Sequence, residues 1–418
     1  MLLLPPLEQL VPADHRLKRL NQALDLSFVH EAVRDHYCQT NGRPSIDPEV
    51  LVRLFLLQAI ENLPEVRELM RQVQVNLAYR YFIGYELDER LPDHSTLSKS
   101  LDRFGDGLFD ELFSRSIAQC QQSGLIAGKV LHVDATTIRA DIDRQKVNQF
   151  DSSDPDARYG KFPGQATAPG YKQHTIVDDD SRVILGIAVT PADQPEHDQA
   201  VGLVDQALPH LSAPPEAICG DGSYASGHNY LEMQERGTRL VSPPPQAKTY
   251  TGDDYFSSID FEYHVHEDQF VCPAGQVLKH YTTEKKRGRR IYQAQRQECQ
   301  RCVLKARCTR ARQRQLKVSA HHTGLVQLRA DSQTESFRSW YRRRMPVIEG
   351  VFAEAKQWHG LRRAWRRGLT KMRIQCLLIA TVINLKRLIT LLWTFFASLT
   401  SLRTQTTTCR RMITQFAD

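Results

Sequence analysis

Three carboxylates in this chain stand where they could hold divalent metal. Asp134 ends the apolar run Val130-Leu-His-Val-Asp134 and is followed by Ala-Thr-Thr; Asp221 ends Ala217-Ile-Cys-Gly-Asp221 and is followed by Gly-Ser-Tyr. Each is thereby expected at the carboxyl end of a buried strand, the edge where open α/β sheets bind ligands. One such aspartate often only caps the next turn; two in matching contexts point to a shared task. The third is Glu349, in Pro346-Val-Ile-Glu349-Gly-Val-Phe-Ala-Glu354-Ala-Lys356, where Pro346 suits a first helical turn and Val347, Ile348, Val351, Phe352 and Ala355 make one apolar face. At roughly 100° per residue Lys356 falls nearly over Glu349, while Glu354 lies about 140° away. A surface ion pair of Glu349 with Lys356 or an arginine is the competing reading. Three converging carboxylates repel unless cations neutralise them. Hard oxygens suit Mg²⁺ or Mn²⁺, and two such ions about 3.5–4 Å apart can activate a water and stabilise the leaving oxygen in phosphoryl transfer.

A second set of candidate ligands is sulfur. Cys272, Cys299, Cys302 and Cys308 fall within 37 residues, and four thiolates suit tetrahedral Zn²⁺. Four reduced cysteines with no joint role are the alternative. Cys38, Cys120, Cys219, Cys376 and Cys409 are isolated and read as packing residues.

The formal charge of +7 is unevenly spread: residues 279–373 carry +20 and the rest of the chain −13. Such a stretch is suited to a polyanion, either nucleic acid or an anionic membrane. Asn384, Lys386 and Arg387 interrupt the most apolar segment, Leu377 to Leu402, so it falls short of the roughly 20 apolar residues a spanning helix needs. The leucine-rich start has no basic region or cleavage site. A cytoplasmic protein with no membrane partner is expected. Trp358 and Trp365 alternate with Arg362, Arg363, Arg366 and Arg367, a pairing of π-faces and cations that suits unpaired bases or a distorted backbone, although either Trp could equally pack in a core.

These residues need elements to hold them. Composition, at 41% hydrophobic and 25% charged over 418 residues, excludes wholesale disorder and fibrous repeats. Residues 1–127 read as an all-helical N-terminal domain, with helix starts at Asp47-Pro48-Glu49 and at Pro92-Asp93-His94, the second helix ending near Gly105. That second helix either belongs to a helix-turn-helix unit or only packs. From residue 128 the period changes to strands around 129–134, 174–178, 183–190 and 216–221, with a helix over 197–208, which gives the first part of an α/β core over 128–245. The loop 151–170 has little to bury and is expected to be mobile. Residues 246–330 read as a basic, Cys-rich insertion, 331–395 as the helices that complete the core, and 396–418 as a polar tail.

With its motifs in this order, the chain resembles the DDE transposases of bacterial insertion sequences. The resemblance rests on Val-Asp134-Ala-Thr-Thr, Gly-Asp221-Gly-Ser-Tyr, the Glu349-x6-Lys356 helix with Gly360-Leu-Arg-Arg, Arg367-Gly-Leu and Asn384-Leu-Lys, and Leu91-Pro-Asp-His-Ser-Thr-Leu97 in the helical part. It implies a ribonuclease-H-like mixed sheet flanked by helices, with Asp134, Asp221 and Glu349 as catalytic metal ligands and Lys356 touching DNA. It also implies double-stranded DNA as partner, both terminal inverted repeats and target, and a homo-oligomer formed on it. One departure is local: relatives carry a Tyr and an Arg seven and four residues before the Glu, where this chain has Arg342 and Met345, with Tyr341 and Arg344 one residue further away. The rival readings are a nuclease that only hydrolyses and a non-catalytic zinc DNA-binding protein derived from a transposase. If the basic stretch carries the affinity, duplex binding will weaken with salt at a log–log slope of about −0.9 per phosphate neutralised, so six contacts give about −5. A binding titration from 50 to 300 mM salt measures it, and a flat response would show that the charge asymmetry does not face DNA.

Overall fold

The computed structural model describes residues 5–37, 45–140, 142, 153–162, 164, 167–245, 255–285 and 288–415, with side chains as far as residue 392. The chain divides into two compact units, Met1–Pro215 with Arg343–Asp418, and Glu216–Arg342.

The first unit opens with helices α1 (Leu7–Leu10), α2 (Arg16–Ala23), α3 (Val29–Ala32), α4 (Pro48–Ile60), α5 (Val66–Val75), α6 (Leu77–Ile83), α7 (His94–Phe104) and α8 (Gly107–Gln122). Their boundaries follow from capping chemistry. Asp47 accepts from Glu49 N at 2.8 Å and Pro48 opens α4; Asp93 accepts from Ser95 N at 2.8 Å and Gly105, at φ 65°, ends α7. α4 is apolar from Leu51 to Ile60 apart from Arg53 and Gln58, and every residue of that span except Arg53 is buried. It packs on α14 (Leu369–Gln415), which also runs against α2, α8 and the sheet. The span Leu369–Leu392 is long and apolar enough to cross a membrane, its most apolar 18 residues having a mean hydropathy of 1.6, yet 72% of that window is buried inside the protein, as befits one of the helices expected to complete the core.

The sheet of this unit is built on β3 (Ala168–Asp178), which pairs antiparallel with β1 (Val130–Arg139) on one edge, and with β2 (Arg158–Gly160) and β4 (Ile184–Pro191) on the other. α9 (Ala200–Ala207) follows. Two sequence expectations change here. β1 continues past Asp134, because the β-branched Thr136, Thr137 and Ile138 keep pairing with β3, so Asp134 sits in mid-strand opposite Thr175 and not at the strand end. Most of residues 141–152 lie outside the described residues, but 153–162 are held in place. Asp154 is buried and accepts the Tyr171 hydroxyl at 2.6 Å, and Asp156 accepts Leu369 N at 2.8 Å, capping α14.

In the second unit β5 (Ala217–Cys219) and β6 (Arg239–Val241) are parallel and joined through α10 (Gly227–Glu235). An antiparallel triplet, a helix and a parallel pair form the strand succession of a ribonuclease-H-like α/β core. The Cys-rich insertion is a five-stranded antiparallel sheet of β7 (Glu262–His264), β8 (Gln269–Val271), β9 (Val277–Glu284), β10 (Arg289–Ala294) and β11 (Gln315–Ser319), with α11 (Arg296–Arg301) between the last two strands. α12 (His322–Asp331) packs on α10 through two glycines: a Cβ at Gly227 would lie 1.9 Å from the His321 carbonyl oxygen, and one at Gly324 would lie 2.4 Å from that of Gly227. α13 (Glu335–Trp358) passes from this unit into the first. Pro346 is therefore interior to a helix and not in its first turn, because Phe337, buried and stacked on Tyr341 at 6.5 Å, anchors two turns ahead of it.

Asn384 ties the first unit together. Its amide, fully buried on α14, accepts from Ile184 N at 2.8 Å, donates to Ile184 O at 2.9 Å and to Ser116 Oγ at 3.3 Å, and so joins α14, β4 and α8. Asn384→Leu keeps the volume but strands both backbone groups of Ile184. A loss of about 2–4 kcal/mol is expected in urea unfolding; a loss under about 1 kcal/mol would mean that water replaces the amide.

Candidate active site

Asp134 projects from the middle of β1 with its carboxylate half-buried. One oxygen accepts from Ala135 N at 2.8 Å, and the other from Arg344 Nη1 of α13 at 2.7 Å. A carboxylate oxygen of Glu196, in the turn after β4, lies within 4.8 Å of Asp134. Two negative charges at that distance repel by roughly 3–4 kcal/mol at an effective dielectric of 20, so each needs a cation. Arg344 serves Asp134. Lys172 Nζ, 3.0 Å from Glu196 and donating to Gln194 O at 3.0 Å, serves the other.

Next to Arg344, Arg343 reaches Asp179 and Asp180, the latter at 3.0 Å, and His132 Nε2 lies 2.7 Å from Asp179. Burial pulls the His132 imidazole below its usual range, against the pull of Asp179, and among the described residues Nδ1 has no hydrogen-bond partner. His132 is thus a neutral ring beneath the site. The tandem arginines clip α13 onto the β1–β3 pair at two points.

Glu349 lies on the exposed side of α13, five residues beyond Arg344. Glu354, the alternative third carboxylate, is committed elsewhere: Lys386 donates to it at 2.5 Å, Arg387 pairs with its other oxygen, and His359 Nε2 stands at 3.9 Å. Asp221 belongs to the other unit. There it caps the turn after β5, accepting from Ser223 N at 2.9 Å, while Ser242 donates to its carbonyl.

Of the basic residues, Arg362, Arg363 and Arg367 are exposed, and 362–364 run beside the end of β1, with Arg139 N donating to Arg362 O at 3.2 Å and Ala364 N to Arg139 O at 2.8 Å. Lys356 is half-buried; desolvation first, then Arg362, holds its ammonium below the usual lysine range. Arg366 departs from the expected surface role. Its guanidinium lies over the Phe55 ring at 6.0 Å and donates to Gln58 Oε1 at 3.2 Å, and burial pulls it down to about 10. Trp358 is 60% exposed, whereas Trp365 is half-buried, and its backbone N–H donates to Gln375 Oε1 at 2.9 Å.

Sequence reasoning missed Glu196. The signal was its place in the turn after β4, which runs parallel to β1, so that both strands end at one edge of the sheet.

Residues 5–103 match the family model described as a transposase domain (DUF772), and residues 271–389 match that described as a transposase DDE domain. No curated relative matches the sequence. Among solved structures, the chain is similar to a piggyBac transposase in a synaptic complex with hairpin DNA, at 11% identity over 88% of this chain and 72% of that one, with a TM-score of 0.35. It is also similar to the Mos1 transposase in a paired-end complex with its left transposon end, at 8% identity over 78% and 83%, with a TM-score of 0.18. Likenesses this distant define neither fold nor function.

The environment of Glu354 sets a pH dependence. Burial alone would raise its carboxyl, but the bonds from His359 and Lys386 and the charge of Arg387 outweigh it and hold Glu354 far below the usual carboxylate range. A depressed carboxylate contributes stability that is full above its unfolded value near 4.5 and is lost as pH falls towards the folded value. Glu354→Gln should therefore be destabilised at pH 7 and show a shallower loss between pH 4.5 and 3 in thermal unfolding. Parallel curves for mutant and wild type would remove the carboxylate from the acid response.

Proposed function

The chain belongs to the DDE transposases, and we propose that it cuts DNA at the ends of a bacterial insertion sequence and joins the freed 3′-OH to target DNA, in the cytoplasm and as a homo-oligomer assembled on the two ends. Asp134, Asp221 and Glu349 are the residues we assign to two Mg²⁺ or Mn²⁺ ions. The observation that carries the reading is the half-buried Asp134, set beside Glu196 and already paired with a cation from the helix that bears Glu349. Such oxygen donors, compensated here by Arg344 and Lys172, fit a hard divalent ion. When bound, the ions supply a lowered pKa for the attacking water or 3′-OH and neutralise the leaving oxygen.

The protein's own residues have separate tasks. Arg344 balances Asp134 until metal and phosphate arrive, and His132, neutral and fixed on Asp179, keeps the strand beneath Asp134 rigid. Lys356, Arg362, Arg363 and Arg367 hold the phosphates of the bound end, while Arg366 belongs to the protein interior.

Because Glu196 lies beside Asp134, it competes with Glu349 for the third carboxylate role. Asp134→Asn, Asp221→Asn and Glu349→Gln should each lower Mg²⁺-dependent cleavage of the element's ends by about 10³-fold or more while DNA binding survives, since each removes ligand charge at nearly constant shape. Glu196→Gln discriminates: full loss with an active Glu349→Gln would move the third position to Glu196. Normal cleavage by all four would sink the metal mechanism. Joining of a pre-cut 3′ end to a target duplex separates transposition from hydrolysis alone.

A further inference from the structure

The thiols of the insertion line one cavity, together with Lys305 and Arg314. Cys272 sits in the tight turn between β8 and β9, where Gly275 N donates to its carbonyl at 2.8 Å and Gln276 N to its sulfur at 3.3 Å. Cys299 lies in α11, Cys302 ends it, and Cys308 follows one turn later; Arg314 N donates to the Cys299 sulfur at 3.5 Å. All four are free thiols, each half-buried. Among the described residues no three of these sulfurs lie within 4.8 Å of one another, so an ion would draw them inward.

The surroundings suit an anionic metal centre. A zinc tetrathiolate carries a formal charge of −2, and two cations line the cavity. Arg314 is held there by bonds to Cys308 O at 2.8 Å and Phe256 O at 3.0 Å, with its plane over Phe261 at 5.1 Å. Lys305 and Arg314 offset that charge, and Glu298, which also lines the cavity, leaves a formal balance of about −1. The module also needs a staple. Its core is small, made of residues such as Phe270, Leu278, Tyr292 and Leu316, with Cys272, Cys299 and Cys308 packed against it. A core of that size rarely stabilises a module of about 65 residues without disulfides or metal.

The outer side of the same loop is cationic. Residues 296–314 hold seven Lys and Arg against Glu298; Arg301, Arg307, Arg310 and Arg312 are exposed, and so is Val303, at 92%. An exposed apolar residue in a loop with four exposed arginines suits a DNA groove flanked by phosphates.

We infer that Cys272, Cys299, Cys302 and Cys308 bind one Zn²⁺ as thiolates, and that this ion fixes the loop Arg296–Arg314 as a duplex-DNA grip. The DNA half rests on the transposase reading; the zinc half does not. The full-length chain, purified without chelator, should hold one zinc by elemental analysis. Co²⁺ added to the metal-stripped protein should give tetrahedral thiolate absorption. Cys302→Ser should lose both signals and at least tenfold in affinity for a duplex of the element's end.

The combined variant Arg301→Gln, Arg307→Gln, Arg310→Gln and Arg312→Gln should keep its zinc, lose at least tenfold in affinity and flatten the salt slope by up to about 3.6. Absence of zinc together with absence of the Co²⁺ signal overturns the site, whether or not the serine variant folds. Unchanged affinity and slope in the four-residue variant overturn the grip. A wild-type chain that binds zinc but no DNA at all would refute the transposase reading and leave the metal site standing.

Discussion

A carboxylate in the middle of a buried strand must be neutralised by something outside that strand, and much of the first unit follows from how Asp134 meets this requirement. β1 cannot supply the cation, because its neighbours on the same face are His132, neutral through burial, and Thr136. The charge comes from α13 instead. Arg344 reaches Asp134 and Arg343 reaches Asp179 and Asp180, so α13 is fixed in both position and rotation against the sheet. Neighbouring residues on a helix diverge by roughly 100°, and two adjacent arginines that both find acids leave little freedom for the helix to roll. Whatever Glu349 does, it does from a helix whose register is set by the aspartate it is proposed to serve with.

Much of this was legible in the sequence, for identifiable reasons. The capping residues Asp47 and Asp93, the apolar strands and the long core helix depend on local patterns that tertiary packing did not override. The misreadings came where packing did override. Asp134 looked like a strand end because an acid followed the largely apolar Val130-Leu-His-Val, yet the β-branched residues beyond it carried the pairing on to Arg139. Pro346 looked like a helix start, but aromatic stacking upstream extends α13 across it. Arg366 looked like one more cation in a basic run; its burial over Phe55 depends on an element more than 300 positions earlier, which no local pattern encodes. Glu196 was missed because its approach to Asp134 depends on β1 and β4 both pairing with β3.

The charge asymmetry takes on a different meaning once its partners are known. Several cations of the positive stretch are bound to the acids of the rest of the chain. Arg344 is on Asp134, Lys371 on Asp102 at 2.7 Å, Arg373 on Asp106 at 2.8 Å and also on Asp110, and Arg290 on Asp268. The acidic excess is therefore in part the counter-charge that anchors the basic segment, and the net +20 overstates what is available to a polyanion. Among the exposed cations of this stretch, which also include Lys279, Lys285, Arg289, Lys317 and Arg338, two groups are the loop around Val303 and the run Arg362, Arg363 and Arg367. Each is held from beneath, the first by half-buried thiols and the second by backbone bonds to the end of β1. A cation on a fixed backbone loses less entropy on meeting a phosphate than one on a loose chain. Rigid support under the exposed arginines, more than their number, is what this fold contributes to binding an extended anion.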